Sequence, residues 1–234
     1  MLSINHVFMD DCFNIFPKLE DNAIDHVFTS PPYNRKRNDK YDDYNDCIED
    51  FFYFLCNVID ESIRISSGYV FLNIQKNFYN KIDVFKLFGK YSNMILDVFI
   101  WEKTNPLPAP GKSITNAYEF IIIFSKKLKL KSNYTYTKNH LTTSVSSPIE
   151  GHRAVMHINT AYFFIKNFTQ KKEVIFDPFM GVGTTAIVAR ALNRNYIGCE
   201  KTKKYYDICL KRIEDYQYIF SKETYPEAAQ LKLF

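Results

Sequence analysis

The residues Ser30-Pro31-Pro32-Tyr33 combine a hydroxyl oxygen, a rigid backbone and an aromatic ring. Two prolines exclude both a helix and a central strand, so we expect a loop that ends the short apolar segment Asp25–Thr29. The Ser30 hydroxyl and the Pro31 carbonyl could accept the two hydrogens of an amino group, while the Tyr33 ring could stack on a planar group. The segment predicts a binding site for a nucleobase amine, and a surface bend or proline-rich ligand is the structural alternative.

A second candidate site is a strand-to-helix junction with the sequence Asp177-Pro178-Phe179-Met180-Gly181-Val182-Gly183-Thr184-Thr185. Glycines at such a junction let the backbone turn sharply and approach a nucleotide-like ligand at the carboxyl edge of a parallel sheet. Glu200 ends the next predicted strand, where its carboxylate could accept hydrogen bonds from ribose hydroxyls. The string from Gly181 to Ala186 also matches the G-x-G-x-x-A dinucleotide fingerprint, so NAD is an alternative. However, only 51 residues follow Gly183, too few for the rest of a dinucleotide domain.

Strands and helices alternate around these two loops. The hydrophobic pattern predicts strands at 25–29, 69–74, 94–101, 119–125, 173–176 and 195–199, and helices at 47–65, 81–91, 160–168, 184–192 and 203–217. This alternation predicts an α/β fold with a largely parallel sheet. The polar stretch 126–147, rich in Lys, Ser and Thr, is expected to be a surface insertion and not a core element.

Composition limits the class of protein. With 46% hydrophobic and 24% charged residues, the chain is typical of a globular protein, and the formal charge of +4 permits an anionic partner without requiring one. Five cysteines without a C-x-x-C pair predict reduced thiols, and neither disulfides nor a metal site. No basic leader or long apolar segment is seen, so we expect an intracellular protein that is not bound to a membrane.

Together, the two loops resemble those of the S-adenosylmethionine-dependent DNA amino-methyltransferases, in the permuted order in which the catalytic loop comes first. Thr29 to Asn34 resembles the family's catalytic motif, and 177–185 resembles its cofactor loop. Asp11, directly before Cys12, resembles the acidic residue that approaches the adenine of the cofactor, although Asp10 competes for this assignment. The resemblance implies catalytic residues Ser30, Pro31, Pro32 and Tyr33, and cofactor-binding residues Asp11, Asp177, Pro178, Phe179, Gly181, Gly183, Thr184, Thr185 and Glu200.

One segment departs from the family pattern. Gly151-His152 resembles the start of the motif that precedes the cofactor loop, but the family usually has Pro where Arg153 stands and Phe-Pro where Met156-His157 stand. This departure concerns the floor of the cofactor pocket.

The resemblance implies one Rossmann-like domain over residues 1–234. We expect a seven-stranded, mostly parallel sheet with helices on both faces, in which the first and last thirds of the chain lie side by side. Within the domain, 1–103 is the expected catalytic half, 104–147 a small target-recognition insertion and 148–220 the cofactor-binding half.

The implied reaction is methyl transfer from S-adenosylmethionine to the exocyclic amino group of a base flipped out of double-stranded DNA, without a covalent enzyme intermediate. Ser30 favours cytosine N4, since family members with Ser at this position mostly methylate that atom. The alternatives are adenine N6, an RNA base or protein amide as substrate, and an inactive DNA-binding subunit. The resemblance also implies a cytoplasmic or other DNA-containing compartment, a monomer or homodimer, and a cognate restriction endonuclease as a candidate partner.

Two groups of cations are candidate DNA contacts. The first directly follows the catalytic loop and comprises Arg35, Lys36 and Arg37. The second lies in the polar stretch and comprises Lys126, Lys127, Lys129 and Lys131, with Tyr134 and Tyr136 nearby. Such cations could contact phosphates, although a solvated charged surface is the structural alternative.

Overall fold

The computed structural model describes residues 2–35, 46–106, 108–109, 114–127, 129–134, 136–150 and 155–224. The strands are β1 (His6–Phe8), β2 (His26–Thr29), β3 (Val70–Ile74), β4 (Ile95–Lys103), β5 (Tyr118–Phe124), β6 (His140–Thr143), β7 (Val174–Asp177) and β8 (Asn195–Cys199). The helices are α1 (Cys12–Ile15), α2 (Phe51–Ile65), α3 (Lys81–Lys90), α4 (Ile158–Phe168), α5 (Thr184–Ala191), α6 (Lys203–Glu214) and α7 (Tyr216–Glu223).

The strands form one sheet in the order β1-β8-β7-β2-β3-β5-β4-β6. Every strand runs in the same direction except β5, which pairs antiparallel with both β3 and β4. Strands from the start and end of the chain are interleaved, because β1 pairs with β8 and β2 pairs with β7. The predicted α/β class and the side-by-side position of the first and last thirds of the chain are thus confirmed.

Both faces of the sheet are covered by helices. One apolar core contains Leu55 and Ile59 of α2 and Leu87 of α3. The other contains Phe164 of α4 and Ile187 of α5. Strand residues alternate between the two cores, since successive side chains of a strand point to opposite faces. This burial on both faces explains why the central strands are almost continuously hydrophobic.

The expected number of strands, seven, is wrong by one, because the described residues form eight. The additional strand β6 comes from the polar stretch 126–147 and pairs with β4 at the edge of the sheet. Its Thr143 Oγ1 accepts a hydrogen bond of 2.8 Å from the buried Trp101 Nε1. An unpaired β4 would expose a long row of backbone donors and acceptors, and β6 covers it. The expectation that the stretch is a surface insertion is therefore wrong for β6, which belongs to the sheet.

Strand β5 also lies within the interval 104–147 that the sequence assigns to target recognition. Its residues Ile121, Ile122 and Ile123 are fully buried between β3 and β4. This part of the interval therefore belongs to the core of the sheet. None of the helices in the described ranges has the length and apolar character that a membrane crossing requires.

Candidate functional site

The predicted site residues meet at one edge of the sheet. Because β1, β2, β7 and β8 are parallel, their carboxyl ends lie at the same edge. Asp11 follows β1, Ser30 follows β2, Asp177 ends β7 and Glu200 follows β8. The structure therefore brings the predicted catalytic loop and the predicted cofactor loop together, although about 150 residues separate them in sequence.

Asp177 links the two loops directly. Its Oδ1 accepts a hydrogen bond of 2.9 Å from Thr29 Oγ1, just before the catalytic loop. Oδ1 also accepts one of 3.0 Å from the Phe179 backbone, and Oδ2 accepts one of 2.6 Å from Thr185 Oγ1. Since both carboxylate oxygens bind the protein itself, Asp177 positions the two loops relative to each other.

Burial raises the pKa of Asp177 to about 6, despite the hydrogen bonds that favour its ionised form. The folded protein therefore holds this proton more tightly than the unfolded chain does. The stabilising contribution of the protonated form is present at low pH and is lost as pH rises through about 6.

We expect Asp177→Asn to flatten this pH dependence, because an amide needs no ionisation in the buried site. Between about pH 5 and pH 7.5, wild type should lose on the order of 1 kcal/mol of unfolding free energy relative to the variant. Denaturant unfolding of both proteins at several pH values measures the difference. The exposed Asp215→Asn is the control; a stability difference independent of pH would contradict the assigned titration.

Glu200 holds the turn of the cofactor loop. Its Oε2 accepts a hydrogen bond of 3.0 Å from the Gly181 backbone, and its Oε1 accepts one of 2.7 Å from the Thr202 backbone. Burial raises the pKa of this carboxyl above its usual value. Each oxygen still has a second lone pair, so the carboxylate can accept further hydrogen bonds from a ligand.

The glycines of this loop are required by its backbone. Gly181 and Gly183 have positive φ angles of 55° and 88°, a conformation that side chains with a Cβ rarely adopt. A Cβ on Gly183 would also lie 2.9 Å from Cys209 Sγ. Helix α5 begins immediately afterwards, with Thr184 and Thr185 buried in its first turn.

Asp10 and Asp11 both lie near the end of β8, since both carboxylates add to the effect of burial in raising the pKa of Cys199, but their side chains have different partners. Asp11 Oδ2 lies 3.4 Å from Lys201 Nζ, next to Glu200 in sequence, while Asp11 Oδ1 accepts from the Phe13 backbone at the start of α1. The carboxylate of Asp10 instead binds Asn14. Asp11 is therefore the one of the two that contacts the residue after Glu200.

Ser30 and Tyr33 belong to a buried polar network that continues into the sheet. Ser30 Oγ and Tyr33 Oη are 2.8 Å apart, and Tyr33 Oη donates over 2.9 Å to Glu119 Oε2. Asn73 Nδ2 donates to the same oxygen over 2.9 Å. Lys103 Nζ forms an ion pair with the other oxygen, Glu119 Oε1. Burial, and secondly the Glu119 carboxylate, raises the pKa of Tyr33 well above its usual value, so its hydroxyl stays protonated.

The hydrogen-bond partners decide which way the Ser30 hydroxyl points. Asn73 uses Nδ2 as a donor, so Oδ1 is the atom that faces Tyr33 Oη at 3.1 Å and Ser30 Oγ at 3.4 Å. The Glu119 carboxylate and the Asn73 amide oxygen can only accept hydrogen bonds. The single hydrogen of the Tyr33 hydroxyl is therefore donated to these acceptors and not to Ser30. Ser30 must then donate to Tyr33 or Asn73. Its lone pairs remain available to accept hydrogens from a ligand.

The ring of Tyr33 is less accessible than stacking on a base requires. Its residue exposure is 9%, and the Arg35 guanidinium lies 5.4 Å from the ring centroid. A base could stack on this ring only if Arg35 moved or if the other face opened. Pro31 is buried, and Pro32 is half-buried.

Arg35 lies at the site, where it donates a hydrogen bond of 2.9 Å to Gln75 Oε1. Asp46 accepts hydrogen bonds from the backbones of Asn34 and Arg35 and so fixes the end of the catalytic loop. The other two cations predicted to contact DNA here, Lys36 and Arg37, lie outside the described residues.

The structure does not bring the lysines of the polar stretch to the site. Since β5 is antiparallel, the residues after Phe124 emerge at the amino edge of the parallel strands, opposite the catalytic loop. Lys126 Nζ there donates to Arg64 O over 3.2 Å, and the Lys131 backbone donates to Tyr69 Oη over 3.1 Å. This placement does not support the predicted DNA contacts of Lys126, Lys127, Lys129 and Lys131 at the catalytic edge.

Asn73 was not identified as a site residue from the sequence. The available signal was an amide within the otherwise apolar strand Val70–Ile74, where a buried polar group requires partners. Lys103 and Glu119 were likewise not identified as site residues, because their contact depends on the pairing of β4 with β5.

Three buried cysteine thiols near the cofactor loop are not suited to nucleophilic chemistry. Cys12, Cys199 and Cys209 are buried near the cofactor loop, and burial raises the pKa of each, to about 12 for Cys209. Such thiols stay protonated and act as packing groups. Within the described ranges, no group of three or more potential ligands could hold a metal ion.

The fold and the two loops define a class of enzyme. A mostly parallel sheet carries a glycine loop with an acidic residue after the next strand, and a Ser-Pro-Pro-Tyr loop lies at the same edge. This combination is that of an amino-methyltransferase. The family model of the N6/N4 DNA methylases matches residues 24–211, and the chain belongs to this family. It is an S-adenosylmethionine-dependent DNA amino-methyltransferase.

Comparisons with individual proteins agree with this assignment. The type II methyltransferase M.HinfI of Haemophilus influenzae is 28% identical over 249 residues, covering 91% of this chain and 69% of that protein. M.MwoI of Methanothermobacter wolfeii is 30% identical over 235 residues, covering 88% of this chain but 34% of that protein. The chain thus spans about two thirds of the first relative and one third of the second.

Two solved structures share the fold. The PvuII DNA methyltransferase, described as cytosine-N4-specific, superposes with a TM-score of 0.75 at 18% identity and covers 96% of this chain and 95% of its own. A complex of M1.HpyAVI with SAM superposes with a TM-score of 0.65 at 24% identity, covering 88% and 98%. At these identities the similarity establishes the fold and not the target base.

Proposed function

We propose that this protein methylates the N4 amino group of cytosine in double-stranded DNA, with the base flipped into a pocket at Ser30. The observation that carries the assignment of an amino group is that the Ser30 hydroxyl donates its own hydrogen into the buried network and leaves its lone pairs to a ligand. The designation of the relatives as type II methyltransferases supports a role beside a cognate restriction endonuclease, in the compartment that contains the DNA.

The residues at the carboxyl edge fit S-adenosylmethionine. The positive-φ glycines keep side chains away from the loop, and Glu200 retains lone pairs for ribose hydroxyls. Asp11 has a half-exposed carboxylate at the same edge, suited to an amino group of the adenine. When bound, the cofactor supplies an electrophilic sulfonium methyl group. The chain positions the nitrogen that receives it.

Ser30 and Pro31 would make the amine reactive. The lone pair of an exocyclic amine is delocalised into the base, so the nitrogen is a weak nucleophile. Acceptance of its two hydrogens by Ser30 Oγ and the Pro31 carbonyl favours a pyramidal nitrogen with a directed lone pair. These acceptors would also stabilise the positive charge that develops on nitrogen as its bond to the methyl carbon forms and the bond from that carbon to sulfur breaks. The nitrogen would then release one of its protons to solvent. Catalysis thus rests on orientation and electrostatics, without a covalent enzyme intermediate.

The choice of cytosine rests on the residue type at position 30. A neutral hydroxyl and a carboxylate can each accept from either amine, so geometry alone does not exclude adenine N6. The resemblance of a Ser-Pro-Pro-Tyr loop to the cytosine-N4 members supports the proposal.

Identification of the methylated nucleoside tests this function. The protein is incubated with S-adenosylmethionine carrying a labelled methyl group and with duplex DNA of mixed sequence, and the DNA is digested for mass spectrometry. We expect labelled N4-methylcytosine. N6-methyladenine would overturn the choice of base and leave the family assignment intact. Cofactor binding without labelled DNA, tested beside RNA and protein, would refute the proposed substrate.

A further inference from the structure

An exposed aromatic surface borders the catalytic loop at the carboxyl edge. It comprises Lys76, Phe78, Lys81 and Tyr118, here called the aromatic-lysine rim. Phe78 is 80% exposed and Tyr118 is 37% exposed. Lys81 Nζ lies 5.6 Å from the Phe78 ring centroid, and Lys76 Nζ lies 5.7 Å from that of Tyr118. Each exposed ring is therefore accompanied by a cation.

The turn that carries Phe78 is fixed to the catalytic loop. The side-chain amides of Asn77 and Asn80 both donate to the Tyr33 carbonyl, over 2.8 and 2.7 Å. Asn80 is fully buried and also donates over 3.0 Å to the Gln75 carbonyl. The position of Phe78 is thus coupled to the loop that contains Ser30, while its ring remains in solvent.

Single exposed apolar residues are normal in proteins, so exposure alone has no significance here. Three features together indicate a ligand: a rigid turn, a place beside the target pocket, and flanking positive charges. A ring with adjacent ammonium groups suits nucleic acid, because bases stack on aromatic side chains and lysines neutralise phosphates. Helix α3 contributes one acidic residue to its first turn, Asp83, and the rim itself contains none.

We infer that the aromatic-lysine rim contacts the substrate duplex beside the flipped base, with Phe78 packing against the exposed face of a neighbouring base. This inference rests on the proposed function, since it needs a base to leave the stack. Unstacking of one base exposes the faces of its neighbours, and an apolar side chain inserted there replaces the lost stacking. Lys76 and Lys81 would contact the flanking phosphates.

Replacement of Phe78 tests the contact. The probe is a duplex that the wild-type protein methylates in the nucleoside assay, labelled with a fluorophore for anisotropy. We expect Phe78→Ala to weaken binding of this duplex about tenfold, and Phe78→Trp to retain it, because a larger ring can still stack. Affinity for S-adenosylmethionine should stay unchanged in both variants. Phe85→Ala is the matched control, since Phe85 is 55% exposed on α3 but lies outside the rim.

The outcomes separate this inference from the proposed function. Wild-type protein that binds the cofactor but methylates no duplex refutes both. Normal methylation with unchanged duplex affinity in Phe78→Ala refutes the inference alone. A change of molar mass in light scattering, without a change in duplex affinity, would instead identify the rim as an interface between two copies of the chain and overturn the DNA contact.

Discussion

Ser30→Ala is expected to lower kcat for DNA methylation by about 100-fold or more, while affinity for S-adenosylmethionine stays unchanged. The variant removes the acceptor that we assign to one amine hydrogen of the target base, and loss of one such stabilising group in an active site typically has an effect of this size. Tyr33, Asn73 and Glu119 would keep their hydrogen bonds to one another and lose the one from Ser30. Steady-state methylation kinetics, with cofactor binding measured by calorimetry, test the prediction.

The matched control is Ser67→Ala. Ser67 is exposed in the turn before β3, at the amino edge of the sheet, and its loss should leave kcat within about twofold of wild type. If Ser30→Ala retained wild-type kcat, the amine would be held by other acceptors, and the mechanism proposed for this loop would be wrong.

Glu119→Gln is expected to lower kcat by about 30-fold through its effect on Ser30, a magnitude below that of direct removal. Lys103 requires an oxygen at the position of Oε1, so the amide nitrogen of the new side chain replaces Oε2. This nitrogen donates a hydrogen bond to Tyr33 Oη, whereas the carboxylate oxygen that it replaces accepts one from Tyr33 Oη. Asn73 Nδ2 loses this acceptor but keeps its orientation through the Phe120 carbonyl, 3.2 Å away. The Tyr33 hydrogen then has Ser30 Oγ at 2.8 Å and Asn73 Oδ1 at 3.1 Å as acceptors, and at the nearer one it occupies the lone pair needed for the base.

A double-mutant cycle separates this effect from a loss of stability. Glu119 acts on Ser30 through the Tyr33 hydroxyl, so in a Tyr33→Phe background the same substitution should change kcat less than about threefold. An effect on kcat that persists at full size in that background would falsify the positioning role. A merely structural role predicts such persistence, because the buried Lys103 would lose its carboxylate partner in both backgrounds.

Glu102→Gln is the control for charge at this end of the sheet. Glu102 is adjacent to Lys103 on β4, but its half-exposed carboxylate contacts His140 and Thr142 and not the catalytic network. Since exposed ion pairs contribute little, we expect no change in kcat beyond about twofold. The comparison isolates the buried carboxylate at position 119.

Local sequence patterns were sufficient for most elements of the fold. The prediction for β8 matches its bounds, and those for α3 and α5 differ by one residue at the carboxyl end. Helix α2 begins at Phe51 and not at Cys47, because Ile48 exchanges two hydrogen bonds with the Asn34 side chain. The predicted helix 203–217 is interrupted at Asp215, where α6 ends and α7 follows. Short β1 and β6 carry too little hydrophobic pattern to be recognised alone.

The two loops could be predicted from sequence, because their chemistry depends on consecutive residues. Prolines after Ser30 and glycines after Asp177 restrict the backbone locally, and the strands before them indicate the edge at which they lie. These residues therefore carried the methyltransferase resemblance and the order of its motifs.

The partners of those loops and the direction of β5 became visible only in the folded chain. Periodicity shows that a segment is a buried strand, but not whether it runs up or down the sheet. The antiparallel direction of β5 brings Glu119 beside Asn73 and Tyr33 and carries Lys126 to the opposite edge. Whether the lone pairs of Ser30 Oγ are free to accept hydrogens from a ligand likewise depends on side chains 40 or more residues away in sequence. Such contacts depend on which strands pair, and the local residue types of a strand do not determine its partner.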